Sequence, residues 1–142
     1  APVACVVGRD VLEQHGQLAS GTYSGDVTAS KTVLHVLREY EALDAIGRLR
    51  NTGMRLRATM NHALAVAGVS SARMEGGWVQ HSRLRFDNEG LGRVFSGHMA
   101  SRGVLWYPAC VNVCVAHSDE QIERVGEAAH ESLKFMRDEG LL

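Results

Sequence analysis

Residues 21–26 read Gly21-Thr22-Tyr23-Ser24-Gly25-Asp26, a run of small and hydroxyl-bearing residues that leads directly into a helical pattern. A loop of this kind presents several backbone N–H groups, and the dipole of the following helix adds a favourable potential for an anion. Asp26 is a suitable N-cap for that helix. Glycine, serine and threonine also populate ordinary turns, so the residues themselves leave two interpretations open, a phosphate-binding loop or a simple turn.

The sequence before this loop predicts a strand followed by a short helix. Residues 2–7 form an apolar run that Gly8 stops, as expected of a buried strand. Asp10 and Glu13 then have the spacing of a capping box, which predicts a brief helix that ends at Gly16. The abrupt apolar start of the chain is typical of an interior strand of a longer protein.

After the loop, the apolar spacing predicts two consecutive amphipathic helices. In the first helix, the residues at helical spacing are Val33, Val36, Leu37 and Tyr40. In the second helix, Gly53 occupies a gap in a seam that consists of Ile46, Leu49, Leu56, Met60 and Ala67. A basic run in this second helix is expected to form its solvated face: Arg48, Arg50, Arg55 and Arg57.

The later part of the chain predicts two strand regions. Residues 74–86 contain the turn signal Gly76-Gly77. Beyond it, two sets of residues alternate, Trp78, Leu84 and Phe86 on one side and His81, Arg83 and Arg85 on the other. This period of two is typical of a half-buried strand with one basic face in water. Residues 104–116 predict the next strand, which Pro108 interrupts.

Two further helices are predicted around these strands. Asp87 or Asn88 is expected to cap the first, which ends at Gly103 and has an inner face of Leu91, Val94, Phe95 and Met99. Ser118 and Gln121 form a capping box for the last helix, whose inner face consists of Ile122, Val125, Ala129, Leu133 and Met136. The order of elements predicts a small α+β layer with helices on one face of a sheet.

The amino-acid composition and net charge indicate which kinds of partner to expect. The chain has 142 residues, of which 45% are hydrophobic and 22% charged, as in an ordinary globular domain. The formal net charge of -1 gives no electrostatic reason to expect nucleic acid or an anionic membrane. Cys5, Cys110 and Cys114 are too few and odd in number for a disulfide framework, which favours a cytoplasmic location.

The combined features resemble a known family. Pro2-Val3-Ala4 to Gly8-Arg9, Gly21-Thr22 to Gly25, the long helices and Ala116-His117-Ser118-Asp119-Glu120 occur in the order found in class III pyridoxal-phosphate aminotransferases of the ω-transaminase and glutamate-1-semialdehyde aminomutase group. The resemblance covers nearly the whole chain. Its Gly-Thr-x-x-Gly loop is fairly distinctive in this context, whereas the final motif, similar to Ala-His-Thr-x-x-Asp-Ile, is short and supportive.

The resemblance implies an α/β to α+β architecture, comprising the end of a fold-type I large domain and the small C-terminal α+β domain. Residues 1–26 would be the remnant of the large domain with the phosphate loop, residues 27–67 the connecting helices, and residues 68–142 the small domain. It also implies a homodimer in which Gly21 and Thr22 bind the phosphate of pyridoxal 5'-phosphate held by the neighbouring subunit. The implied partners are an amine donor and a keto acid or aldehyde acceptor.

The chain departs from the family pattern at several positions. Relatives usually have Gly-Asn-Pro where this chain has Gly25-Asp26-Val27, which places a carboxylate near the expected phosphate unless Asp26 turns away to cap the helix. Cys110, Val111 and Asn112 fall where relatives differ among themselves in substrate-facing residues, so the resemblance does not assign a substrate.

The lysine of the cofactor site is the main departure. In the family it lies shortly before the stretch similar to residues 2–8, and the two lysines of this chain, Lys31 and Lys134, do not align with it. A Schiff-base lysine requires a lowered pKa, which burial or neighbouring charge provides. Lys31 lies nine residues after Thr22, about two turns into the predicted helix, and is the candidate catalytic residue if the chain is active by itself; the alternative is a surface lysine. Lys134 is expected to be a solvated charge near a helix C-terminus.

Two other groups of residues are candidate sites. Cys110, Cys114 and His117 contain zinc-ligand chemistry, but in a strand His117 would lie on the opposite face from the cysteines. Arg73, Arg83 and Arg85 are candidates for binding a substrate carboxylate, because a guanidinium makes bidentate contacts; a solvated strand face is the alternative.

Two functions from different classes therefore remain. The first is a pyridoxal-phosphate-dependent aminotransferase, truncated or unusually short. The second is a non-catalytic dimerisation or interaction domain derived from an aminotransferase.

Overall fold

The computed structural model describes residues 26–142, and the chain divides into two compact units at Ala45 and Ile46. The described part consists of α1 (Val27–Ala42), α2 (Ala45–Val66), β1 (Ala72–Trp78), β2 (His81–Phe86), α3 (Leu91–Ser101), β3 (Val111–Asn112) and α4 (Asp119–Asp138). The predicted strand and helix of residues 2–16 and the loop of residues 21–25 lie outside the described residues. Within residues 26–142, no helix is long and apolar enough to cross a membrane.

The start of α1 confirms the predicted N-cap. The carboxylate of Asp26 accepts hydrogen bonds from the backbone N–H of Thr28 at 2.8 Å and of Ala29 at 3.2 Å, which satisfies two of the N–H groups that have no partner within the helix. The helical spacing of the apolar residues is also confirmed. Their burial is not, because Val36, Leu37 and Tyr40 are exposed.

Residues 46–142 form the α+β unit, in which three antiparallel strands have the order β1-β2-β3. The predicted alternation holds in β2, where Ser82, Leu84 and Phe86 are buried and His81, Arg83 and Arg85 are exposed. One face of the sheet therefore packs on the helices, and the other faces solvent.

The predicted turn at Gly76-Gly77 is wrong, because both glycines lie within β1 and the hairpin turns at Val79 and Gln80. Between the pairs Glu75 with Arg83 and Trp78 with His81, the register shifts by one residue, which is a β-bulge. Gly76 occupies the bulge with φ 130°, a value that residues with a side chain rarely adopt. The extra residue places Trp78 on the exposed face beside His81, so the prediction that Trp78 is buried with Leu84 and Phe86 is also wrong.

The core lies between the inner face of the sheet and helices α2, α3 and α4. Phe95 of α3 is at its centre, with ring centroids 5.7 Å from Phe86 and 5.9 Å from Trp106. The inner face predicted for α4 is confirmed, since Ile122, Ala129, Leu133 and Met136 are buried and Val125 packs against them. In α3, Phe95 and Met99 are buried and Leu91 packs against the core as predicted, but Val94 is exposed, so its assignment to the inner face is wrong.

The helix caps are partly as predicted. Ser118 and Gln121 form the complete capping box of α4, and Gly103 follows α3 with φ 77°. α3 instead begins after Gly90, without a side-chain cap, because the side-chain oxygen of Asn88 accepts from the Gly90 N–H within the preceding turn. The strand predicted for residues 104–116 is reduced to the two residues of β3, and the rest of this segment is irregular.

Candidate functional site

Three arginines and one glutamate form a cluster on the exposed face of the sheet, which we name the arginine cluster: Arg73, Glu75, Arg83 and Arg85. The hairpin register pairs Arg73 with Arg85 and Glu75 with Arg83, so all four side chains project from the same face. Glu75 accepts a hydrogen bond from Nε of Arg73 at 2.9 Å and one from Nη2 of Arg83 at 3.1 Å. Nη1 of Arg85 lies 3.8 Å from the same carboxylate.

The cluster changes the proton affinity of Glu75. Desolvation raises the pKa of this carboxyl, but the hydrogen bond from Arg83 and the charges of Arg73 and Arg85 together outweigh that effect. The pKa of Glu75 is consequently lower than its ordinary value of 4.5, and the side chain is a carboxylate at neutral pH.

The cluster has more positive than negative charge. Three guanidinium groups share the carboxylate of Glu75, and among the described residues only Arg73 has a second acidic partner, Asp87 at 3.1 Å. Each arginine retains about half of its side-chain exposure, so their remaining donors are accessible from solvent. The structure thus brings together all three arginines that the sequence proposed for carboxylate binding, and it places Glu75 among them.

A cavity of about 380 Å³ adjoins this cluster between β2 and the start of α3. Its charged lining residues are Arg83, Arg85, Arg93 and Glu89, and its other walls include Phe86 and Pro108. Arg93 is exposed, and its side chain has no hydrogen bond or ion pair with any residue that the structure describes. Sequence reasoning missed Arg93 because it lies on a different element from the strand arginines, and no spacing rule connects them.

The structure describes only some of the residues that the sequence assigns to the cofactor. Gly21 and Thr22 lie outside the described residues, so their role stays a prediction. Lys31 lies on α1 and Lys134 on α4, and both side chains are exposed. Neither lysine has the buried setting that usually supports a Schiff base. The described residues thus include the capped N-terminus of α1, which follows the predicted loop in sequence, and neither of their two lysines is buried.

Of the cysteine and histidine candidates, Cys114 and His117 lie in one turn, where the His117 N–H donates to the Cys114 carbonyl oxygen at 3.2 Å. The backbone N–H of Cys114 donates to Nδ1 of His117 at 3.1 Å, and Cys110 lies near Asn112, whose side-chain N–H donates weakly to its sulfur at 4.0 Å. Among residues 26–142, no group of three or more histidine, cysteine, aspartate or glutamate side chains is arranged to hold a metal ion.

Comparisons with known proteins do not assign a family to this arrangement. No protein-family model matches the chain, and the search of curated proteins gave no significant match.

Proposed function

We propose that this chain is a pyridoxal-phosphate-dependent aminotransferase of class III, represented by its C-terminal part. Residues 27–67 would be its connecting helices and residues 68–142 its small domain, and Gly21 and Thr22 would bind the cofactor phosphate of a neighbouring subunit. The substrates would be an amine or amino acid and a keto acid or aldehyde, between which an amino group is exchanged.

The observation that carries this proposal is the capped start of α1 directly after Gly25. The resemblance predicts a phosphate loop that ends where a long helix begins, and α1 begins at Val27. The carboxylate of Asp26 is directed to the N–H groups of Thr28 and Ala29. The carboxylate therefore caps the helix and is not a free charge. Under this condition, Asp26 and Val27 can replace the Asn-Pro of the family's Gly-Asn-Pro with a phosphate bound nearby.

The α+β architecture of residues 46–142 gives further support. One long helix, an antiparallel hairpin, a second helix, a short strand and a capped last helix follow one another, and the helices cover one sheet face. This is the type of small domain that the resemblance implies. When bound, pyridoxal phosphate supplies the carbonyl group and electron-withdrawing ring that transamination requires. The role proposed for this chain's loop is to hold the phosphate.

Binding of the cofactor tests the proposal. Pyridoxal phosphate and pyridoxal, which lacks the phosphate, are titrated separately and followed by absorbance. We expect binding of pyridoxal phosphate only, weakened about tenfold in Thr22→Ala because a hydrogen bond to a charged group is lost. Asp26→Asn keeps a capping side chain and removes a negative charge, so it should bind the phosphate more tightly. Equal binding of the two ligands, or binding of neither, would contradict the phosphate loop.

The lysine question has a separate experiment. Borohydride reduction of the complex, followed by peptide mass mapping, identifies any lysine joined to the cofactor. Lys31→Ala should abolish the adduct if Lys31 reacts, and Lys134→Ala is the matched control on another exposed lysine. An adduct that persists unchanged in Lys31→Ala would remove Lys31 from the site.

A second candidate function, a non-catalytic dimerisation domain, is favoured by the surface of α1. Leu34, Leu37 and Tyr40 keep 55%, 51% and 48% of their surface exposed, on a helix whose apolar spacing is regular. A second copy of the chain would bury this surface. Light scattering should then show a dimer for the native chain and a monomer for Leu37→Glu, whereas His35→Glu, on the same helix, should stay dimeric. A monomeric native chain would exclude this function.

A further inference from the structure

We infer that the cavity between β2 and α3 is a binding site for a small organic anion or phosphate, recognised by Arg83, Arg85 and Arg93. This site is additional to the phosphate loop of residues 21–25, and it does not depend on the proposed aminotransferase activity.

Charge is the first reason. The described residues contribute three guanidinium groups and one carboxylate, that of Glu89, to the cavity lining. Arg83 and Arg85 share the carboxylate of Glu75 with Arg73, so neither has an acidic partner of its own among residues 26–142. An anion in the cavity would supply the missing negative charge, and guanidinium groups bind carboxylate and phosphate oxygens with two parallel hydrogen bonds.

The unpaired state of Arg93 is the second reason. Its side chain is exposed, lines the cavity and makes no hydrogen bond or ion pair with the described residues. Glu89 lies four residues earlier, in the turn before α3, and lines the same cavity, yet no ion pair joins the two. The guanidinium donors of Arg93 on α3 are therefore all available to a ligand, and Arg83 and Arg85 line the same cavity from β2.

The rest of the lining indicates the kind of anion. Leu84, Phe86 and Pro108 contribute apolar walls, and the cavity volume of about 380 Å³ accommodates a small molecule. A ligand with a charged end and a short carbon chain would use both the arginines and these walls. A dicarboxylate and inorganic phosphate both present negatively charged oxygens to the arginines. Only the dicarboxylate also has a carbon chain that can contact the apolar walls.

Calorimetric titration of the full chain at low salt tests the site. Inorganic phosphate and succinate are the two anions, and succinamide is the uncharged analogue of succinate. Pyridoxal phosphate is left out of this titration. A negative result here therefore contradicts the anion site alone and does not bear on cofactor binding by the proposed aminotransferase. Saturable binding of either anion, but not of succinamide, supports the site. Preference for succinate identifies a carboxylate ligand, and preference for phosphate a phosphate ligand.

Variants assign the binding to the cavity. Arg93→Gln should raise Kd about tenfold for the preferred anion, because one charge-assisted contact is lost. Glu89→Gln should lower Kd, because it removes a negative charge from the lining. Arg50→Gln, an equal loss of charge on the exposed surface of α2, should leave Kd unchanged. Absence of saturable binding, or equal effects of Arg93→Gln and Arg50→Gln, would overturn the inference.

Discussion

Replacing Gly53 by alanine should destabilise the unit formed by residues 46–142, although alanine is the better helix former. Gly53 is buried in α2, where the helix passes the β1–β2 turn. A Cβ atom at this position would lie 2.5 Å from the carbonyl oxygen of Val79, 2.6 Å from its carbonyl carbon and 2.7 Å from the nitrogen of Gln80. All three are backbone atoms of the hairpin turn, so no side-chain rotation can relieve the contact.

Two effects of opposite sign decide the magnitude. Exchanging glycine for alanine within a helix favours folding by about 1 kcal/mol. Overpacking typically costs about 1–3 kcal/mol, and a clash with backbone belongs at the upper end of this range. We therefore expect a net loss of roughly 2 kcal/mol in the free energy of unfolding, which corresponds to a decrease in Tm of about 8–16 °C for a domain of this size.

Thermal unfolding followed by circular dichroism measures this loss. Gly97→Ala is the matched control, because Gly97 lies within α3 with nothing within 4 Å of the position of its Cβ. This control should gain up to about 1 kcal/mol from helix propensity. A Tm for Gly53→Ala equal to or above that of the native chain would refute the close approach of α2 to the hairpin turn.

Three other measurements test separate parts of the structure. Ser118→Ala should lower the free energy of unfolding by about 1 kcal/mol through loss of the α4 cap, whereas Ala at the exposed Ser70 should leave it unchanged; chemical denaturation compares the two. Because the folded-state pKa of Glu75 is lowered, its stabilising contribution is present above its ordinary value of 4.5 and is lost as the pH falls through the lowered pKa. The difference in Tm between the native chain and Glu75→Gln should therefore shrink as the pH falls below about 4.5, and a difference that stays constant would count against the arginine cluster. Acrylamide quenching should act mainly on Trp78, which is 67% exposed, and hardly on Trp106, which is 5% exposed, so Trp78→Phe should remove most of the quenchable fluorescence.

The helices were predictable wherever their signals are local. Asp26 and the pair Ser118 with Gln121 act through backbone groups two or three residues away, and both caps are present. The start of α3 was missed because Asn88 has the same local chemistry available for a turn, where its side chain binds the Gly90 N–H. Local sequence rules cannot distinguish a turn from a cap when the same side chain serves either.

The strands were harder to predict because their register depends on the partner strand. The alternation of Leu84 and Phe86 was correct, since β2 is continuous. Trp78 was assigned to the wrong face because a bulge at Gly76 inserts one residue, and a shift of one residue exchanges the two faces of a strand. The glycines that indicated a turn instead allow the bulge.

In the candidate site too, the sequence predicts what depends on neighbouring residues and does not predict what depends on tertiary packing. The period of two places Arg83 and Arg85 on one face from sequence alone, and pairing with β1 then adds Arg73 and Glu75 to that face. Arg93 joins them only because α3 packs beside β2, a contact that no sequence interval encodes.

Asp26 determines how the two proposed anion sites would differ. A helix N-terminus attracts an anion through its free N–H groups, but the N–H groups of Thr28 and Ala29 already donate to the Asp26 carboxylate. A phosphate held by Gly21 and Thr22 would thus take its hydrogen bonds from the loop, and the carboxylate would weaken its binding. The cavity of Arg93 depends instead on side-chain charge, so its affinity should fall more steeply with salt concentration. Asp26→Asn should consequently tighten pyridoxal phosphate binding and leave succinate or inorganic phosphate binding at the arginine cavity unchanged.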